Sequence, residues 1–113
     1  MHEMSLTEGV LQILQDNAQS HGYDRVKTVW LEIGELSGVE VEAMRFCFDV
    51  VMLGTLADGA RLEIIHVPGQ AWCTQCNKSV TVQQRFDPCP DCGGYPLQIT
   101  DGEQMLIKEL EVE

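Results

Sequence analysis

The spacing of apolar residues changes several times along the chain, and each change predicts a new element. From Leu6 onward apolar positions recur with helical spacing, Ser5 can cap the start of this segment, and Gly22 is a typical helix stop. The pattern therefore predicts a first helix from about Ser5 to His21. The residues from Arg25 to Ile33 are rich in β-branched and aromatic side chains that alternate between two faces, which predicts a strand.

A second helix and two further strands follow in the pattern. Ser37 and Glu40 form a capping-box pair before an amphipathic stretch, which predicts a helix that ends near Gly54. Arg61–Val67 and Met105–Val112 have strand-like composition. The simplest packing is an α+β fold in which two helices lie on a small, about three-stranded sheet. A cysteine-containing lobe is inserted before the last strand.

Four of the five cysteines form two CxxC units, a spacing that is typical of a metal site. Two residues between thiols let one tight turn direct both sulfurs to the same point, and two such turns supply four tetrahedral ligands. Because four thiolates leave no position for a water molecule, the pattern predicts a structural Zn(II) ion rather than a catalytic one. A redox dithiol, an iron–sulfur cluster and rubredoxin-like iron are the open alternatives. The predicted zinc ligands are Cys73, Cys76, Cys89 and Cys92.

The cysteine pattern also predicts the domain organisation. We expect residues 69–102 to form a zinc-ribbon-like domain of their own. Residues 1–68 plus 103–113 then form the other domain, which contains both helices and the predicted sheet.

The charge balance excludes several classes of partner. The 113 residues include 18 acidic and only 7 basic side chains, for a formal net charge of -11, so the chain lacks the basic surface that nucleic acids and anionic membranes require. No apolar run is long enough to span a bilayer, and the N-terminus lacks the regions of a signal peptide. We therefore expect a cytoplasmic protein without nucleic-acid or membrane partners. Because no nucleophile–base pair is evident, we predict no catalytic residues and no enzyme activity.

The start of the chain offers a second candidate metal site. The α-amine, the following backbone amide nitrogen and the His2 imidazole can surround one ion, and nitrogen donors in a plane suit Ni(II) or Cu(II). Glu3 could add its amide nitrogen or a carboxylate oxygen. On spacing alone, a mobile and solvated His2 is the more common situation.

Three segments taken together resemble the HypA/HybF family of nickel metallochaperones. They are Met1–Leu6, Val29–Ser37 and the CxxC pair between Cys73 and Cys92, and the resemblance runs nearly from end to end. It implies a cytoplasmic protein with a nickel-binding α/β domain and a zinc domain. The implied function is delivery of Ni(II) during maturation of NiFe hydrogenase, and of urease in some relatives. The implied partners are a HypB-type GTPase and the hydrogenase large-subunit precursor.

Position by position, the resemblance places nickel ligation on Met1, His2 and Glu3, and zinc ligation on the four cysteines. Glu40 corresponds to an acidic residue that assists nickel binding in some relatives, and its alternative role is to complete the capping box. The competing function is a zinc-ribbon adaptor for protein or nucleic acid that does not bind nickel. A homodimer is also open, since an edge strand at Met105–Val112 could pair between chains.

For two further residues we predict a structural role that does not involve a metal. Cys47 lies between two phenylalanines in the second predicted helix and is expected to be a core residue. His66 lies in strand-like sequence, where we expect a partly buried, hydrogen-bonded imidazole.

Overall fold

The computed structural model of the protein describes residues 2–95 and 97–113. These residues form two helices and two three-stranded sheets, so the predicted α+β class is confirmed. None of the helices in this described part is both long and apolar enough to cross a membrane. The elements in chain order are α1 (Glu3–His21), β1 (Val26–Gly34), α2 (Val41–Val51), β2 (Arg61–Val67), β3 (Gly69–Cys73), β4 (Lys78–Val82), β5 (Gln98–Asp101) and β6 (Met105–Val112).

The chain folds into two compact units that are discontinuous in sequence. The first unit contains residues up to 31, residues 39–65 and residues 106–113, and therefore holds both helices. The second unit contains residues 32–38 and 66–105, and therefore holds all four cysteines of the CxxC pair.

Helix α1 begins two residues earlier than predicted. Its first residue is Glu3, and the N-cap is His2, whose carbonyl oxygen accepts a hydrogen bond of 3.0 Å from the Leu6 N–H. No side chain caps this end, so the predicted capping box that begins at Ser5 is wrong. The consequence for the site is that Glu3, a predicted nickel ligand, belongs to the first turn of α1.

Helix α1 ends at a glycine with a left-handed backbone, and α2 is followed by a turn that contains another. Gly22 has φ +75° and its N–H donates to the Ala18 carbonyl oxygen at 2.8 Å, which is the predicted stop. Helix α2 ends at Val51, and the turn that follows contains Gly54 at φ +74°. The predicted end near Gly54 therefore included this turn.

The core of the first unit lies between the two helices and strand β1, which is the central strand of the order β2-β1-β6. Thr7 is its one buried polar residue on α1, and the Thr7 hydroxyl donates to the Glu3 carbonyl oxygen at 2.7 Å and lies 3.5 Å from Met44 Sδ. Cys47 is buried, as predicted. The largest fully buried side chains here are Leu14, Leu31, Met44, Phe48 and Met52.

The second unit contains a sheet that the sequence analysis did not predict. Strand β3 is central in the order β4-β3-β5 and runs antiparallel to both neighbours. The strands have only four or five residues and carry many exposed polar side chains, so their periodicity is weak. Their buried residues, together with one leucine from the first segment of the unit, form a small core of Leu36, Ala71, Cys73, Val80, Val82 and Cys89.

Candidate metal centres

The four predicted zinc ligands lie together at one point of the second unit. Each CxxC turn delivers both of its sulfurs there, and all four Sγ atoms lie within 4.8 Å of one another. Cys73 Sγ is 3.6 Å from Cys92 Sγ, and Cys76 Sγ is 3.8 Å from Cys89 Sγ. Among residues 2–95 and 97–113, this is the single group of three or more histidine, cysteine or acidic side chains that could hold a metal ion.

Local sequence explains why both turns have the same shape. The residue after the second cysteine of each unit has a left-handed backbone, Asn77 at φ +55° and Gly93 at φ +70°. In the first turn the Cys76 N–H donates to Cys73 Sγ at 3.4 Å. Asparagine and glycine are the residues that adopt this conformation most easily, so each turn is preorganised around its sulfurs.

The distances between the sulfurs fit a tetrahedral metal ion. A metal–sulfur bond of about 2.3 Å separates the sulfurs of a tetrahedron by about 3.8 Å. The two sulfur pairs given above lie within 0.2 Å of that separation. A disulfide is excluded in this geometry, because all five cysteines are free.

The acidity of the thiols differs across the cluster. Backbone N–H groups, above all that of Cys92, lower the pKa of Cys89 to about 7. A hydrogen bond with the Cys92 sulfur, together with the neighbouring thiols, raises the pKa of Cys76 to about 12. One thiol therefore ionises readily, whereas four thiolates this close together need a bound cation to neutralise them.

An ion pair connects the two cysteine turns, and sequence reasoning missed it. Lys78 follows the first turn, Asp91 lies inside the second, and their side chains are in direct contact. The carboxylate raises the pKa of Lys78, which keeps the ammonium group charged beside the sulfurs. The only signal in the sequence is the position of each residue within two places of a cysteine.

The predicted nickel ligands are placed as follows in the first unit. Met1 lies outside the described residues. His2 is exposed at the start of α1. Glu3 is half-buried in the first turn of α1, and its Oε2 accepts a hydrogen bond of 3.1 Å from the Glu40 backbone N–H. The structure thus brings two of the candidates, Glu3 and Glu40, into contact.

The role of Glu40 differs from the predicted capping box. Glu40 is the N-cap residue of α2, and its side chain makes no capping hydrogen bond. In a capping box, the N–H of the N-cap residue is bonded by a glutamate three residues later, and here Glu3 of α1 takes that place. The bond lowers the pKa of Glu3. This long-range cap joins the start of α1 to the start of α2.

Comparison with known proteins identifies the family of this chain. A family model described as hydrogenase/urease nickel incorporation, metallochaperone, hypA, matches residues 1–112. The chain belongs to the HypA family. The hydrogenase maturation factor HypA of Alkalilimnicola ehrlichii is 59% identical and that of Azotobacter chroococcum mcd 1 is 58% identical, each over the full length of both chains.

The HypA fold is also found among solved structures. The nickel metallochaperone HypA from Helicobacter pylori, known from a solution structure, superimposes with a TM-score of 0.72 at 22% identity, over 99% of this chain and 97% of that one. At this identity the likeness concerns the fold. The family model describes its members as metallochaperones for nickel incorporation.

His66 is the one histidine whose surroundings differ from the prediction. It is exposed rather than partly buried, and its Nε2 pairs with the Glu35 carboxylate. The predicted hydrogen bond is present, and its partner comes from the segment that follows β1. The alternating pattern of β2 gives no signal for this contact, because the partner residue, Glu35, lies outside the strand.

Proposed function

We propose that this chain binds Ni(II) at its N-terminus and delivers it during maturation of NiFe hydrogenase. The ligands are Met1, His2 and Glu3, with Glu40 as a further candidate. The observation that carries the proposal is the match to the nickel-incorporation family over residues 1–112, which includes the start of the chain. The competing role as a zinc-ribbon adaptor without nickel is not favoured by this match.

The start of α1 is compatible with ligation by backbone nitrogen. The first N–H groups of a helix have no partner inside the helix, and α1 begins at Glu3. The amide nitrogens of His2 and Glu3 can therefore lose their protons to a metal ion without breaking a helical hydrogen bond. His2 is exposed, so its imidazole is accessible to the same ion.

We further propose that the four-cysteine site holds Zn(II) as a structural ion. The sulfur separations support a tetrahedral ion, and a sulfur set closed on all four sides gives no open position for chemistry. When bound, the ion supplies folding free energy to the small second unit. We assign these two metals to two domains, a nickel domain of residues 1–68 plus 103–113 and a zinc domain of residues 69–102.

The proposed partners follow from the same family membership. We infer that the chain acts in the cytoplasm, receives or passes nickel together with a HypB-type GTPase, and meets the hydrogenase large-subunit precursor. The match describes hydrogenase and urease together, so urease is a second acceptor that this proposal includes. Pairing of two copies through an edge strand is a further proposal for its oligomeric state.

Nickel titration of untagged protein by calorimetry, followed by metal analysis, tests the nickel site. We expect one tightly bound nickel per chain in the wild type, and loss of this binding in His2→Ala with zinc content unchanged. His21→Ala is the matched control, because His21 is also exposed and lies at the opposite end of the same helix. An N-terminal extension that blocks the α-amine should weaken binding as well.

Two results would reject the nickel site. The first is a His2→Ala variant that still binds one nickel per chain with wild-type affinity. The second is nickel uptake that occurs only as zinc leaves the cysteines. Binding of nickel that is lost equally in His21→Ala would show a nonspecific contribution from exposed imidazoles.

A further inference from the structure

The outer face of α2 carries a stripe of large apolar side chains that are open to solvent. Phe46 and Val50 lie on the helix and Leu53 in the turn after it, at the spacing i, i+4 and i+7 that places residues on one face. Their exposed fractions are 67%, 44% and 68%. We call these three residues the α2 stripe.

The exposure of the α2 stripe does not come from a loosely packed helix. The opposite face of α2 carries Met44, Cys47 and Phe48, which are all buried. The helix therefore has an apolar side in the core and a second apolar side outside it. Contiguous exposed apolar surface with a polar border is typical of an interaction site.

Acidic side chains border the α2 stripe. Glu42 and Asp49 lie on the exposed surface of the same helix. Arg45, the one basic residue of α2, donates through Nη1 to the Leu62 carbonyl oxygen at 2.9 Å, which holds the guanidinium group against the start of β2.

The α2 stripe ends at a cleft that, like the stripe with its acidic border, combines apolar and acidic residues. A cavity of about 210 Å³ at the C-terminal end of α2 is lined mainly by apolar residues, among them Leu53, and also by Asp49 and Asp58. Asp58 Oδ2 accepts the Gly54 N–H at 3.0 Å, which fixes the carboxylate at the cleft. A cationic side chain with an apolar stem can fill such a cleft and place its charge between the two carboxylates.

Charge decides which occupant fits this surface. A second copy that packed through the same face would bring its own Glu42 and Asp49 against those of the first, and an anionic lipid surface is repelled by the same carboxylates. We propose that the α2 stripe is the docking surface for a cationic amphipathic helix of a partner protein. Its apolar residues pack on Phe46 and Val50, and a lysine or arginine enters the cleft beside Leu53.

This surface is independent of the N-terminal metal site. The α2 stripe contains none of the proposed nickel or zinc ligands, and its test needs no nickel. Failure of the docking experiment therefore leaves the nickel proposal unchanged, and failure of the nickel titration leaves the docking surface unchanged.

Fluorescence anisotropy with a labelled synthetic helix of about 18 residues, with leucines on one face and lysines on the other, tests the proposal on the full chain. We expect the variant Phe46→Ser with Leu53→Ser to weaken binding by about tenfold or more, as when the central contacts of an interface are truncated. Asp49→Asn should weaken binding less and reduce its salt dependence. Phe86→Ser is the control, since Phe86 is 87% exposed but lies in the second unit.

Three results of the peptide experiment would overturn the proposal. A peptide of the same composition in scrambled order could bind as tightly, Phe86→Ser could weaken binding as much as the double variant, or the double variant could bind like the wild type. Sedimentation equilibrium covers the remaining occupant. A wild-type dimer that becomes monomeric in the double variant would assign the stripe to a second copy instead. Thermal unfolding of each variant confirms that it is folded, as expected for substitutions at exposed positions.

Discussion

Removing the metal from the four-cysteine site should unfold the second unit and leave the first unit folded. The perturbation is chelation at neutral pH, with Cys89→Ser as the genetic equivalent. Cys73 and Cys89 are both 2% exposed, so two of the four ligands are also core residues of this unit. Loss of the ion leaves their sulfurs close together without a cation between them.

The size of the effect follows from the core of the second unit. Among the described residues, the core cluster that contains Cys73 and Cys89 has three large buried aliphatic side chains, Leu36, Val80 and Val82. Burial of one such side chain contributes about 1.5–3 kcal/mol, so the three contribute about 5–9 kcal/mol together. A structural zinc ion contributes about 10–16 kcal/mol of binding free energy at neutral pH. The ion therefore outweighs the apolar core, and the unit depends on it.

The two tryptophans make this prediction directly measurable. Trp72 lies on β3 in the second unit next to Cys73, and Trp30 lies on β1 in the first unit. In a Trp30→Phe variant, chelation should shift the emission of Trp72 to the red and expose it to quenchers. In the matched Trp72→Phe variant, the emission of Trp30 should not change.

One result would refute the reasoning about the second unit. If metal analysis shows complete removal of the ion while the emission and quenching of Trp72 stay native, the core folds without it. A shift of Trp30 as large as that of Trp72 would instead show that the two units do not unfold independently.

Two further predictions concern single residues. Gly69→Ala should destabilise the second unit by about 1–3 kcal/mol, because an added Cβ would lie 2.9 Å from Leu36 Cγ and against the backbone of β4; urea unfolding followed by Trp72 measures this, and unchanged stability would contradict the close packing. Glu3→Ala should destabilise the start of α2, whereas Glu3→Gln keeps an acceptor for the Glu40 N–H. Since that bond lowers the pKa of Glu3, its contribution is present above the ordinary glutamate pKa and is lost as the pH falls through the lowered value; a difference between wild type and Glu3→Ala that persists at the acidic end would contradict the assignment.

Much of the fold could be predicted because its signals are local. Strand β2 was predicted at the observed residues, Arg61–Val67, since a turn precedes it and Pro68 follows it. Strand β6 was predicted at Met105–Val112 for similar reasons. The four cysteines could be identified as neighbours because CxxC spacing acts within one turn, and two such turns differ little from protein to protein.

The features that could not be predicted depend on contacts between distant residues. Glu40 was assigned to a capping box with Ser37, three residues away, whereas its N–H bonds to Glu3, 37 residues away. Nothing in either segment alone indicates this pairing. The sheet of the second unit was missed for a related reason, because β3 is defined by its two partners and not by its own short pattern.

The cap between Glu3 and Glu40 also distinguishes two ways in which Glu3 could bind nickel. The α-amine, two amide nitrogens and the His2 imidazole already fill the four positions of a square-planar ion. With this set the Glu3 carboxylate stays on the Glu40 N–H, so nickel should leave the hydrogen exchange of the Glu40 amide unchanged. If the carboxylate were a ligand instead, it would leave that N–H and the amide would exchange faster. Hydrogen exchange measured with and without nickel, and repeated in Glu3→Gln, separates the two: faster exchange on nickel addition in the wild type alone would reject the nitrogen-only set.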